Sequence, residues 1–282
     1  MRGPRPGLRS SRIAHDDRWV ARPGDRADLG TIDPSSTPGA PGDRAATEAA
    51  VPALTAQLAD LQDRLWAEAR RSLLLVLQAM DAGGKDGTIK HVFEGVNPQG
   101  TRVWSFKVPT PLESAHDFLW RVHGVVPAKG EITIFNRSHY EDVLVTRVHG
   151  TIDEHACRQR YRAIRDFEAL LTDAGTTIVK VYLHVSREEQ RRRLEQRINQ
   201  PNKRWKLQES DFAERRYWDD YRHAYEDAIT ETSTDHAPWR VVPADHKWYR
   251  NWAVSTILVG VLGAMAPQYP APPDLGDLGG HV

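Results

Sequence analysis

The stretch that decides the fold runs Leu73-Leu74-Leu75-Val76-Leu77-Gln78-Ala79-Met80-Asp81-Ala82-Gly83-Gly84-Lys85-Asp86-Gly87-Thr88-Ile89-Lys90-His91-Val92-Phe93. Its first five residues form an unbroken apolar run, which suits a strand buried on both faces. A loop of small residues with one lysine comes next, and Ile89 onward reads as the start of a helix. Such a loop is suited to phosphate: small residues let backbone N–H groups close on the oxygens, and the helix N-terminus favours the anion. Lys85 brings a compact positive charge to a transferring phosphate. Gly83, Gly84, Asp86, Gly87 and Thr88 are the further phosphate-binding candidates. The strict pattern G-x-x-x-x-G-K-[ST] is not met, because Ala79 takes the first glycine position and Asp86 that of the metal-binding hydroxyl. Taken alone, the loop fits a glycine-rich turn with a solvated lysine equally well.

Working outward, the pattern alternates. Apolar strand candidates lie at 72–79, 102–108, 131–136, 177–185 and 239–243, with helical stretches at 85–95, 112–123, 153–173, 187–199, 208–230 and 247–265. Five short strands separated by helices predict an α/β fold with a five-stranded parallel sheet and right-handed crossovers. Upstream, Thr47 is expected to cap a helix carrying Leu54, Leu58, Leu61 and Leu65 at spacings of three and four. Residues 1–46, rich in Pro, Gly, Arg, Asp and Ser, are expected to form an extended or partly disordered arm, and residues 267–282 a flexible tail. Between them, 47–266 reads as one domain.

The whole-chain averages are consistent with this. The 282 residues carry 38 Lys+Arg against 38 Asp+Glu, and a hydrophobic share of 40%, which excludes a fully disordered chain. Zero net charge argues against wholesale coating of nucleic acid. The lone Cys157 excludes a disulfide framework within the chain, and the twelve His form no zinc-binding pair. No apolar segment comes after Met1-Arg2-Gly3-Pro4-Arg5-Pro6, so a secretory signal is not expected. The longest apolar run, Ala253–Ala266, is too short to span a bilayer of ~30 Å and reads as a buried helix. A soluble, cytoplasmic protein is expected.

A polar cluster stands after every strand. Lys107 ends the second, and Asn136-Arg137-Ser138-His139-Tyr140-Glu141-Asp142 comes after the third. There, Arg137 could neutralise phosphate charge, while Glu141 and Asp142 could supply the anion that Asn136 lacks; taken alone, the segment reads as a polar turn. After the fourth strand, residues 187–206 hold eight Lys/Arg against three Glu, a local charge of +5. Arg193 and Arg197 share a helix face, and Lys203, Arg204 and Lys206 come after Pro201. An arginine face over a phosphate loop could hold a polyanion; the alternatives are a solvated charged helix and, because Trp205 interleaves with the bases, nucleic-acid contact. In a parallel sheet all these clusters lie at the carboxyl edge, where α/β ligands bind. That shared position favours phosphoryl transfer.

At this point the chain resembles the polyphosphate kinase 2 family, within it the class III branch. The matching stretches are 73–100, 105–113, 116–123, 135–149, 201–229 and 237–251, in the family's order. The resemblance implies a thymidylate-kinase-like P-loop fold of three layers with a helical lid, about 187–222. It also implies Mg²⁺-dependent transfer of a terminal phosphoryl group between inorganic polyphosphate and AMP, ADP or ATP, with Mn²⁺ as an alternative metal and guanine nucleotides as further candidates. Asp81 and Lys85 inherit the loop's functional roles, Asp81 orienting metal or acceptor. Asn136 and Arg137 match the strand-end pair, and Arg197 the lid arginine. Arg193, Lys203, Arg204 and Lys206 are expected to bind polyphosphate, and Asp81 with Glu141 to hold the metal. Asn136 and Glu141 stand where many diphosphate-using relatives carry Asp and Asn, which favours AMP as acceptor. Dimers or tetramers are common in the family, and the apolar stripe of the 47–70 helix is a candidate interface; no membrane or nucleic-acid partner is expected. The rival readings are an ATP-dependent kinase of a nucleotide or small metabolite, and a non-catalytic RNA- or nucleotide-binding module.

Overall fold

A computed structural model describes residues 17–200 and 212–272. In chain order the elements are β1 (Val20–Ala21), α1 (Arg44–Glu68), β2 (Ser72–Ala79), α2 (Lys85–Val92), β3 (Thr101–Ser105), the one-turn α3 (Pro111–Ser114) and α4 (Trp120–His123), β4 (Ile132–Asn136), α5 (Glu141–Val148), α6 (Glu154–Asp173), β5 (Thr176–His184), α7 (Arg187–Asn199), α8 (Trp218–Thr232), β6 (Trp239–Pro243) and α9 (Lys247–Met265).

Strand β2 is buried along its whole length and lies between β4 and β5, both parallel to it. The sheet order is β1-β6-β5-β2-β4-β3. Side chains alternate across it as the pleat requires. Leu73, Leu75 and Leu77 join Val179 and Val181 of β5 and Leu58, Val254 and Leu258 of α1 and α9. Leu74 and Val76 join Tyr182 of β5 and residues of α5, α6 and α8. Two apolar faces on one sheet make the three layers.

Five strands run parallel, as the apolar runs predict, and a sixth completes the sheet. β1 pairs antiparallel with β6, Val20 opposite Arg240 and Ala21 opposite Trp239. Two residues have no periodicity to read, so this strand is invisible in the sequence. Residues 17–43, expected as part of an extended or partly disordered arm, hold little regular structure but are tied to the body. Trp19 Nε1 donates to the Tyr249 hydroxyl at 2.9 Å, and that hydroxyl donates to the Pro38 carbonyl at 2.8 Å. Asp245 N donates to the Pro34 carbonyl at 3.1 Å.

Other differences are local. The cap of α1 is Asp43, whose carboxylate accepts from Ala46 N at 2.9 Å, so the helix begins four residues before the expected position and Thr47 is buried in its first turn. Leu58 and Leu65 of its stripe are fully buried under α9, which corrects the expectation that this stripe serves a second copy. The stretch 112–123 breaks into α3 and α4, α3 being closed by the Thr110–Glu113 capping box. Helix α5 was not expected, and within the helix expected at 208–230 Phe212 and Ala213 are helical, a 3₁₀ turn runs over Glu214–Tyr217, and α8 carries the helix on from Trp218. Among the described residues no helix is long and apolar enough to cross a membrane.

Candidate active site

The carboxyl end of β2 turns directly into the phosphate loop. Gly83 N donates to the Met80 carbonyl at 2.9 Å and closes a tight turn. A Cβ on Gly83 would sit 2.5 Å from the Ala79 Cβ and 2.8 Å from the Met80 carbonyl oxygen, so only glycine fits. Gly84, the residue before α2, has φ +106°. Lys85 opens α2 and folds back so that its Nζ donates to the Ala79 carbonyl at 2.8 Å. Burial and the neighbouring Arg137 lower the Lys85 pKa to about 8, against the opposing pull of Asp81, Glu141 and Asp86.

The end of β4 brings the second cluster alongside, because β2 and β4 are adjacent and parallel, with Leu77 opposite Asn136. Arg137 adopts φ +64° and swings its guanidinium across the loop. Its Nη2 lies 2.7 Å from Asp81 Oδ1, and its Nη1 3.9 Å from Glu141 Oε2. Asn136 Nδ2 donates to Asp86 Oδ1 at 2.9 Å. Gln78 Nε2 donates to Glu141 Oε1 at 3.1 Å and fixes that carboxylate at the first turn of α5. Asp81, Lys85, Asp86, Asn136, Arg137 and Glu141, singled out from two separate segments, thus meet at the loop: Arg137 links Asp81 and Glu141, Asn136 pairs with Asp86, and Lys85 lies within electrostatic reach of the three carboxylates.

Helix α7 braces the loop from behind. Ser186 caps it by accepting from Glu189 N at 3.1 Å. Arg193, 6% exposed, uses every donor it has on fixed acceptors. Nε bonds Glu189 Oε1 at 2.6 Å, Nη1 bonds the Gly83 and Ala82 carbonyls at 2.8 and 3.3 Å, and Nη2 bonds the Ala244 and Asp245 carbonyls at 2.5 and 3.1 Å. Gln190 Nε2 donates to the Asp81 carbonyl at 2.9 Å. Since N–H(i+1) is antiparallel to C=O(i) across a trans peptide, drawing the carbonyls of Asp81 and Gly83 toward α7 turns the amides of Ala82 and Gly84 the other way. Arg193, expected on the polyphosphate path, is therefore a buried brace that shapes the loop.

The remaining candidates fall differently. Thr88 is buried, its hydroxyl donating to the Gly84 carbonyl at 3.1 Å within α2. Gly87 lies in the first turn of α2, where a Cβ would come 3.4 Å from Arg250 Nη2. Lys107 is exposed beyond β3, and its carbonyl accepts from Arg121 Nη1 at 2.8 Å. Arg197 is half-buried on α7, one turn beyond Arg193. Lys203, Arg204 and Lys206 lie outside the described residues.

Behind the β4 cluster sits a buried charge network that sequence reading missed. Lys180 Nζ donates to Glu168 Oε2 at 2.6 Å, to the Thr232 carbonyl at 2.7 Å and to the Tyr140 hydroxyl at 3.0 Å; Tyr140 in turn donates to Glu168 Oε1 at 2.8 Å. Burial alone would raise the Glu168 pKa, but Lys180 and His139 outweigh it and hold the carboxyl low. The network anchors Tyr140, the residue before α5, and so the first turn that carries Glu141.

The site offers oxygen donors from Asp81, Glu141 and Asp86; among the described residues no three His, Cys, Asp or Glu are grouped to cage a metal alone. That set suits a hard cation such as Mg²⁺, held by one or two carboxylates together with substrate phosphates. A cationic loop at a helix N-terminus, crossed by an arginine and flanked by carboxylates, at the carboxyl edge of a three-layer α/β/α sheet, defines a phosphoryl-transfer enzyme of the P-loop kinase class.

Comparison with known proteins narrows the class. Residues 42–270 match the family described as Polyphosphate kinase 2, and the chain belongs to that family. It is 54% identical over 255 residues to the AMP/ADP-polyphosphate phosphotransferase of Meiothermus ruber, covering 90% of this chain and 96% of that one. It is 46% identical over 226 residues to the ADP-polyphosphate phosphotransferase of Rhodopseudomonas palustris, covering 76% and 78%. The crystal structure of Polyphosphate Kinase 2 from Arthrobacter aurescens superposes with a TM-score of 0.88 at 47% identity, covering 92% of this chain and 93% of that one.

Proposed function

We propose that the protein transfers the terminal phosphoryl group of inorganic polyphosphate to AMP and to ADP, reversibly, with Mg²⁺ or Mn²⁺. The observation that carries this is the meeting of Lys85, Arg137, Asp81 and Glu141 at the phosphate loop, Arg137 linking the two carboxylates and all three acting on Lys85 electrostatically. A terminal phosphate oxygen of the nucleotide attacks the end phosphorus of the polyphosphate in line. The new P–O bond forms as the bond to the next phosphate breaks, and the chain leaves one unit shorter, carrying the electron pair as phosphate charge. The attacking phosphate is already anionic, so no protein nucleophile or base is needed, and positioning with charge neutralisation does the chemistry.

Lys85 and Arg137 hold the transferring group. Asp81 and Glu141 are the residues that would hold the metal, which would supply neutralisation of phosphate charge. Arg197 closes from the lid side, and Lys203, Arg204 and Lys206 extend the grip along the chain. Asn136 and Glu141, standing where many diphosphate-using relatives carry Asp and Asn, support AMP as an acceptor. The enzyme is taken as cytoplasmic, without membrane or nucleic-acid partners.

The test is to mix the protein with Mg²⁺, long-chain polyphosphate and AMP, with no ATP, and to resolve nucleotides by chromatography. ADP and then ATP are expected, and Asp81→Ala is expected to lower kcat about 10²- to 10³-fold with the fold intact. If ADP yields ATP but AMP is inert, the acceptor reading of Asn136 and Glu141 falls. If neither reacts while ATP phosphorylates an acceptor, an ordinary kinase replaces this reading.

A further inference from the structure

Arg250, on the first turns of α9, is 2% exposed. Its guanidinium lies flush against the start of α2: a Cβ on Gly84 would meet Arg250 Nη1 at 2.0 Å, and one on Gly87 would meet Nη2 at 3.4 Å. The hydrogen bonds it makes run from Nε and Nη2 to Asn251 Oδ1, at 3.2 and 2.8 Å, and that acceptor is a neutral amide. Its charged neighbour is Arg193, of like sign.

Other buried cations are treated differently. Lys180 has Glu168 at 2.6 Å, Arg193 has Glu189 at 2.6 Å and Arg121 has Asp142 at 3.4 Å. Arg240, also buried without an ion pair among the described residues, is acted on by Asp17. A buried charge without an anion is destabilising, because its hydration is lost and nothing opposite in sign replaces it. Burial and Arg193 lower the Arg250 pKa to about 9, which leaves it charged at neutral pH.

We propose that Arg250 is a positioning residue whose counter-ion is the substrate: a guanidinium kept, among the described residues, without an acidic partner behind the phosphate loop, so that a phosphate seated on the loop completes its electrostatics. It touches the loop backbone at Gly84, not the reacting atoms, and acts across one turn of helix through ground too tightly packed for water to screen it. This rests on the polyphosphate reading of the site. It adds that part of the affinity for the anion is built into the free protein as unrelieved positive charge.

Two substitutions test this in opposite ways. Arg250→Gln removes the charge, and Asn251→Asp gives it an anion inside the protein. Thermal unfolding of the full chain is measured with and without sodium tripolyphosphate, at matched ionic strength. The wild-type melting temperature is expected to rise with tripolyphosphate. Both variants are expected to unfold no lower than wild type without ligand, to lose at least half of that rise, and to need about tenfold more polyphosphate for half-maximal rate. Arg250→Lys, which keeps a charge, should recover part of the response. An arginine that merely packs would behave otherwise: Arg250→Gln would unfold earlier, Asn251→Asp would change nothing, and both would keep the full tripolyphosphate rise. That result overturns the inference alone. A wild-type protein indifferent to tripolyphosphate overturns the polyphosphate reading and the inference with it.

Discussion

The two faces of the sheet treat buried charge in opposite ways. On the face covered by α5, α6 and α8, Lys180 is wholly enclosed, yet Glu168, Tyr140 and the Thr232 carbonyl meet it at 2.6 to 3.0 Å. On the other face, at the phosphate loop, the Lys85 ammonium bonds one carbonyl and Arg250 one amide oxygen. The first arrangement is complete in the free protein and serves only to hold Tyr140 and α5 in place. The second is left electrostatically unfinished and is completed by a ligand. Burial of a cation is therefore no guide to its role; the group it is paired with decides.

The contrast can be broken at its paired end. Lys180→Met should strand Glu168 in the core and cost about 3 to 5 kcal/mol of stability, read by urea unfolding. Adding Glu168→Gln to it should recover much of that loss, whereas equal instability of single and double variants would mean packing matters more than charge. At the unpaired end, Lys85→Ala should lower kcat about 10²- to 10³-fold while the unfolding midpoint stays or rises. Because the Lys85 pKa is brought down to about 8, the free enzyme loses this proton as pH rises through 8. The ratio kcat/KM should accordingly fall on the alkaline side of 8, and a flat profile to pH 9.5 would remove Lys85 from the transfer step. The smallest effect belongs to an exposed pair. Glu48→Ala, breaking the Arg44–Glu48 contact at 3.0 Å on the first turns of α1, should change stability by less than about 0.5 kcal/mol.

Most of the fold could be read from the chain because the buried strands are continuous apolar runs and the helices between them keep their period. The site's anionic and cationic groups could be read because they stand at strand ends, and parallel strands all end at one edge of the sheet. The failures share a cause. Eight basic residues in twenty look alike in a charge tally, but Arg193 faces the loop carbonyls and is sealed, whereas Arg191 stays exposed in pairs with Glu188 and Glu195. Only the packing of α7 distinguishes them. Arg250 escaped notice because it stands with Lys247 at the head of an apolar helix; its place between Tyr249 and Trp252, on the side that faces the core, was the available signal. Helix α5 is eight residues long and begins inside a segment that reads as a polar strand end.

The antiparallel strand β1 has a consequence in time. Its partner β6 lies at the far end of the chain, Val20 opposite Arg240, so on the ribosome the strand made first must wait for the strand made last. Closing so long a loop is also the most entropically demanding pairing in the sheet. Trp19, which shares that end of the sheet, reaches Tyr249 of α9, two residues from Lys247 where that helix begins. The nascent protein can thus assemble β2, its phosphate loop and the strands beside it long before its own N-terminal segment has anywhere to dock.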